Sequence, residues 1–77
     1  MTRYFFDVEN DDILHIDNEG TELAGTREAG VEAIQALAEL ALDQLPGTED
    51  KHLKMTVRDG DGSRSFELDL IFKIHSL

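Results

Sequence analysis

Thr26 to Leu45, TREAGVEAIQALAELALDQL, decides the reading of the fold, because only here do apolar residues keep a helical repeat over a long stretch. Ala33, Ile34, Leu37, Leu40, Ala41 and Leu45 fall at the i, i+3, i+4, i+7 spacing that gathers side chains on one face of a helix. That face is expected to cover a sheet. Arg27, Glu28, Glu32, Gln35, Glu39 and Asp43 take the opposite side, and the acids of the first half suit the positive end of the helix dipole. Thr26 is the expected N-cap, its hydroxyl accepting from a free amide of the first turn. Pro46-Gly47 stops the helix near Gln44 or Leu45, since proline lacks an amide proton and disfavours helical geometry at the residue before it. Val31, Ala38 and Leu42 add a second apolar row, wider than one sheet-facing stripe requires.

Both flanks of the helix alternate with period two. Tyr4, Phe6 and Val8 point one way and Arg3, Phe5 and Asp7 the other, a strand with Phe5 on its polar side. Glu9 to Asp12 supplies turn residues, and Ile13 to Asp17 resumes as a second strand with Leu14 and Ile16 on one face. Asn18-Glu19-Gly20 is a turn in which Gly20 can take positive φ, and Leu23 is expected to tuck beneath the first helical turn. After the polar linker Thr48 to His52, Leu53, Met55 and Val57 alternate with Lys54, Thr56 and Arg58, a third strand of edge-like composition. Asp59-Gly60-Asp61-Gly62 suits a hairpin turn. The fourth strand is the longest, with Phe66, Leu68, Leu70, Phe72 and Ile74 on one face and Glu67, Asp69, Ile71, Lys73 and His75 on the other.

The predicted architecture is therefore α+β, ββαββ, with one helix packed on one face of a four-stranded sheet. Phe5 and Ile71 place apolar groups on the otherwise polar faces of the first and fourth strands, which argues for those two at the centre. The predicted strand order is 2-1-4-3, with strands one and four parallel.

Seventy-seven residues make one domain, residues 1–77, and at that size folding buries only about 60% of the chain's potential surface. The absence of Cys removes disulfides and thiolate metal sites together. No apolar run approaches the ~20 residues of a membrane span, and MTRYFF lacks the features of a signal peptide, so a soluble cytoplasmic protein is expected. Acids outnumber bases 17 to 7, a formal charge of −10. That charge disfavours nucleic acid, whose phosphates are neutralised by Lys and Arg, and suits a basic protein partner.

Motifs that carry chemistry are missing. A calcium loop starting at Asp59 would need Gly and Glu where the chain has Arg64 and Leu70, so the segment reads as a turn. Asp7, Glu9, Asp11, Asp12, Asp17 and Glu19 surround the first hairpin and read as a solvated loop able at most to hold a divalent cation weakly. His15, His52 and His75 lack metal-site spacing. Ser63, Ser65 and Ser76 have no His–acid context beyond His75-Ser76, and neither a nucleophile elbow nor a phosphate-binding glycine loop occurs. No catalytic, cofactor-binding or metal residue is assigned.

The opening Arg3-Tyr4-Phe5-Phe6-Asp7-Val8, the step Asp17-Asn18-Glu19-Gly20-Thr21-Glu22-Leu23, the helix positions Ala29, Glu32 and Ala33, and Met55-Thr56-Val57-Arg58-Asp59 followed by Gly62 resemble a family of short uncharacterised bacterial proteins, a domain of unknown function. The chain departs from it at His52-Leu53, where an aromatic usually precedes the third strand. The resemblance implies a fold and a cytoplasmic bacterial setting, and no activity. In outline the chain is also similar to acidic antitoxin subunits of HicB type, which carry an extra strand before the helix. Sequence therefore points to a non-enzymatic binding or structural module. The alternatives are an antitoxin-like regulatory subunit on a basic partner, or a small enzyme whose site forms between subunits. A homodimer is expected, through Phe5, Ile13 and Ile71 on the sheet face away from the helix or through Val31, Ala38 and Leu42 on the helix.

Overall fold

A computed structural model of the chain describes residues 1–44 and 50–77. Leu45, Pro46, Gly47, Thr48 and Glu49, and with them the expected helix stop, lie outside the described residues. The elements are β1 (Thr2–Asn10), β2 (Ile13–His15), β3 (Thr21–Leu23), α1 (Thr26–Gln44), β4 (Lys51–Arg58) and β5 (Arg64–Phe72). The class is α+β, with α1 laid over one face of an antiparallel sheet. That sheet has five strands rather than four, in the order β2-β1-β4-β5 with β3 also on β1.

The order and the parallel pair expected from sequence are both corrected. Phe6 pairs with Val57 and Val8 with Met55, so β1 lies antiparallel beside β4, and β5 stands at the edge, paired only to β4 among the described residues. The strand of edge-like composition is the most buried one: Leu53 and Val57 are wholly inaccessible and Met55 nearly so. Full burial of each contributes roughly 1.5–3 kcal/mol. Its polar face misled because, among the described residues, no second layer of helix or sheet covers that face. Lys54 and Arg58 answer carboxylates on neighbouring strands there, Lys54 reaching Glu67 at 3.5 Å and Arg58 reaching Asp7.

The edge of β1 opposite β4 is shared by two short strands. β3 pairs with Thr2 to Tyr4 and β2 with Val8 to Asn10. β3 was not foreseen, because three residues are too short for an alternation to register. Leu23, its last residue, does pack against the core under α1. Directly opposed residues share a face, so Ile13, opposite Asn10, falls on the helix side while Leu14, opposite Glu9, falls on the open side. Ile13 thus does not share a face with Phe5 and Ile71, as had been expected.

The helix begins at Thr26, but the carbonyl that accepts its first bond belongs to Gly25, which takes the Ala29 amide at 3.0 Å. Gly25 is therefore the cap and Thr26 the first helical residue. Ala29, Ala33 and Leu37 are buried against Tyr4 and the β4 trio, with Leu40, Ala41, Phe66, Leu68 and Leu70 half-buried around them. Ile34 departs from its assigned core role and is 60% exposed. The row Val31, Ala38 and Leu42 is exposed as well.

Both predicted hairpin turns form. Asp11 and Asp12 both adopt positive φ, 48° and 70°, closing β1 onto β2 through a two-residue loop. In the second, Ser63 accepts the Asp59 amide at 2.9 Å and Asp59 accepts the Gly62 amide at 3.0 Å, with Gly62 at φ 89°.

Candidate functional site

The strongest polar constellation lies on the open face of the sheet, where β1, β4 and the loop between β2 and β3 meet. Asp7 projects from the middle of β1 to that face and is buried, 7% exposed. Arg58 ends β4, beside an irregularity in which the register moves from Val57↔Phe66 to Arg58↔Arg64, leaving one extra residue on β5. Such a bulge increases local twist and re-aims the neighbouring side chain. The guanidinium grips Asp7 in a fork, Nε to Oδ2 at 2.7 Å and an NH2 nitrogen to Oδ1 at 3.0 Å. Its Cζ lies 4.9 Å from the centre of the Phe5 ring, which forms a floor beneath the charge. Phe5, the apolar residue on the polar side of its strand, is the cross-strand neighbour of Arg58.

Asp17 completes the cluster. Between β2 and β3 the edge of β1 meets no strand among the described residues, and there the Phe6 amide donates instead to Asp17 Oδ2 at 3.1 Å. Asp17 Oδ1 accepts the Glu19 and Gly20 amides, each at 3.0 Å. In return the Asp17 amide donates to Asp7 Oδ1 at 3.0 Å, and Arg58 donates to the Asp17 carbonyl at 3.1 Å. Arg3 closes the outer rim by donating to the Glu19 carbonyl at 2.6 Å. Gly20, at φ +74°, is held so close that an added Cβ would stand 2.8 Å from Arg3 Cγ and 2.9 Å from Phe5 Cε1. Only glycine fits there.

The electrostatics follow from these contacts. The Arg58 hydrogen bond holds the Asp7 carboxyl below its usual range against the opposing effect of burial, and the same contact raises Arg58 further. For Asp17 burial alone would raise the pKa, but the amides of Gly20, Phe6 and Glu19 together outweigh it and the net shift is downward. Carboxylates so stabilised are poor proton acceptors at neutral pH. Thr56 on β4 stands directly opposite Asp7. The arrangement anchors a loop to a sheet.

The other sequence candidates scatter. Of the carboxylates around the first hairpin, Asp7 and Asp17 belong to the clasp and Asp11 pairs with Lys51 at 2.8 Å. Among the described residues no group of three or more His, Asp or Glu side chains could hold a metal ion. His15, His52 and His75 are all exposed, His52 meeting Asp69 at 2.8 Å. In the second hairpin Asp59, hydrogen-bonded to Asp61, is pushed up, while Asp61 is drawn down to about 2. Both belong to the turn, Asp59 half-buried and Asp61 exposed. The site that does form was missed because Arg58 had been read only as one polar residue of an edge strand. The available signal was phase: Phe5, Asp7 and Arg58 all alternate away from the apolar face.

Three of the segments that carry the family resemblance, Arg3 to Val8, Asp17 to Leu23 and Met55 to Asp59, converge on this clasp. The class defined by the fold and the clasp is a small α+β sheet-and-helix protein with an internally paired polar centre. A family model described as a domain of unknown function, DUF6894, matches residues 3–71, and the chain belongs to that family. No curated protein matches the chain, and no solved structure does.

Proposed function

We propose that the chain is a single-domain, non-catalytic protein-binding module of the bacterial cytoplasm. The observation that supports this reading most is the internal pairing of the clasp: both carboxylates accept from backbone amides, and Arg58 spends Nε and one Nη nitrogen on Asp7 and the Asp17 carbonyl. Apolar surface, by contrast, is left open. Ile13, Ile34, Leu42 and Ile71 are each about 60% exposed or more. The excess of acids, 17 against 7 bases, favours a basic protein as a further partner, in the manner of a regulatory subunit. Capture from a bacterial lysate, with the bound protein identified and then titrated purified, tests this. The expected partner is basic, with an affinity that falls steeply between low and high salt. The competing reading is an enzyme whose site forms between subunits. Turnover in a hydrolase screen that disappears in a folded Arg58→Lys variant would establish that reading instead.

A further inference from the structure

The bare edge of the sheet lies beside the exposed side of the helix. β5 pairs with β4 on one side, and among the described residues its other side meets no strand. Above that edge, Ile34, Leu37, Ala38, Leu68, Asp69 and Leu70 line a shallow apolar groove between α1 and β5. Val31, 50% exposed, and Leu42, 69% exposed, continue the helix side of the groove in both directions. An unpaired strand edge templates another strand. An apolar helix flank beside it asks for a second apolar layer above that strand.

We infer that this edge and groove bind a second copy of the chain, β5 against β5 about a two-fold axis, so that the sheet continues through the pair and the α1 helices meet over the junction. This rests on the reading of the chain as a protein-binding module and names its partner. The sequence of β5 and the residues after it favours itself in one register. Antiparallel self-pairing must oppose like faces. Centred on Leu68, it sets Glu67 against Asp69 of the second copy, and centred on Asp69, it sets that carboxylate against its twin. Both place like charges face to face. Centred on Leu70, it sets Glu67 against Lys73 twice over, with Leu68 opposite Phe72 and Phe66 opposite Ile74. One step further, centred on Ile71, Phe66 would face Ser76 and leave the apolar run. Centred on Ile71, Asp69 would also face Lys73, so Leu70 is set apart as the register that combines opposed charges with an apolar partner for every helix-side residue from Phe66 to Ile74. A two-fold axis also brings Ile34 and Ala38 of one copy toward those of the other.

Sedimentation equilibrium of the full chain tests the assignment. The wild type is expected at twice 8.6 kDa. Lys73→Glu and Ile34→Glu, both at exposed positions, should each raise the dimer dissociation constant at least about tenfold with unchanged circular dichroism, about 1.4 kcal/mol. Mixing the Lys73→Glu chain with a Glu67→Lys chain re-forms both opposite-charge pairs and should restore the dimer. A wild type that stays at 8.6 kDa at millimolar concentration overturns the inference, even if a strand of another protein is found on the β5 edge. So does a dimer indifferent to both substitutions but dissociated by Ile71→Glu, which would place the contact on the open sheet face. None of these results touches the non-catalytic reading, which stands or falls on turnover and Arg58→Lys.

Discussion

Asp7 and Arg58, 51 residues apart in the chain, meet in a two-pronged ion pair that ties the first strand to the end of the fourth. The loop between β2 and β3 hangs from the same two side chains. Breaking a buried pair by removing one member leaves the other charge desolvated and unanswered, which costs about 3–5 kcal/mol in a fully buried site. The Arg58 side chain keeps 27% of its exposure, so Arg58→Met is expected to destabilise by about 2–3 kcal/mol. Arg58→Lys should recover less than half, because an ammonium cannot present two parallel donors or stack on Phe5. Urea titrations of the three proteins check this; a lysine variant as stable as wild type would show that charge alone matters.

Acid sensitivity follows from the same carboxylates. Asp7 and Asp17 are both lowered in the folded state, so the unfolded chain binds protons first as pH falls. Their contribution is complete about a unit above the unfolded value of 3.8 and disappears as pH drops through the depressed folded values. Stability should begin to decline below about pH 5. In Arg58→Met the largest influence lowering Asp7 is gone and burial remains, so the unfolded chain no longer binds this proton first and the loss of unfolding free energy on acidification should be smaller than in the wild type. Unfolding free energy measured from pH 7 to pH 2.5 in both proteins is the check, and coincident acid limbs would contradict the assignment.

Two glycine substitutions should act in opposite directions. Gly20→Ala places a methyl group on Arg3, Phe5 and the Tyr4 carbonyl in a positive-φ conformation, and is expected to cost about 2–3 kcal/mol. Gly30→Ala lies within α1 where an added Cβ meets nothing within 4 Å, and should stabilise by about 0.5–1 kcal/mol through helix propensity and a less flexible unfolded chain. Thermal unfolding of both variants measures the contrast. A neutral Gly20→Ala would show that the loop can yield without disturbing the clasp.

The first hairpin is closed by two aspartates where this turn favours Asn-Gly or Asp-Gly. Asp12→Gly relieves φ 70° and removes a charge beside Asp11, whose own carboxylate stays paired with Lys51. The expected gain is up to about 1 kcal/mol, read from the denaturation midpoint. Loss of stability instead would mean that the Asp12 carboxylate makes a contact worth more than its backbone strain.

The helix was legible because nineteen residues, Thr26–Gln44, repeat one pattern. The hairpin turns were legible because Asp and Gly announce positive φ. Strand order was not, since apolarity on both faces was taken as the mark of a central strand. In this sheet the central β4 has an open polar face, and the edge strand β5 carries the exposed Ile71. Asp17 illustrates a different obstacle. Its carboxylate does the work of a missing strand by accepting the Phe6 amide, a role that depends on where a loop crosses an edge and leaves no periodic trace. Ile34 was assigned to the core by spacing alone, but the helix leans so that its line of contact runs through Ala29, Ala33 and Leu37.

The split edge of β1 has a consequence for growth by strand addition. β2 and β3 are three residues each and stand side by side along that edge, separated by a loop folded over Asp17. No long ladder of free amides and carbonyls is offered on that flank, whereas β5 offers nine residues on the other. A molecule with one flank that can template and one that cannot is a chain terminator for its own polymer. Two such molecules joined at their templating flanks present blunt ends in both directions, so concentration should drive the population to pairs and stop there, without ribbons or fibrils.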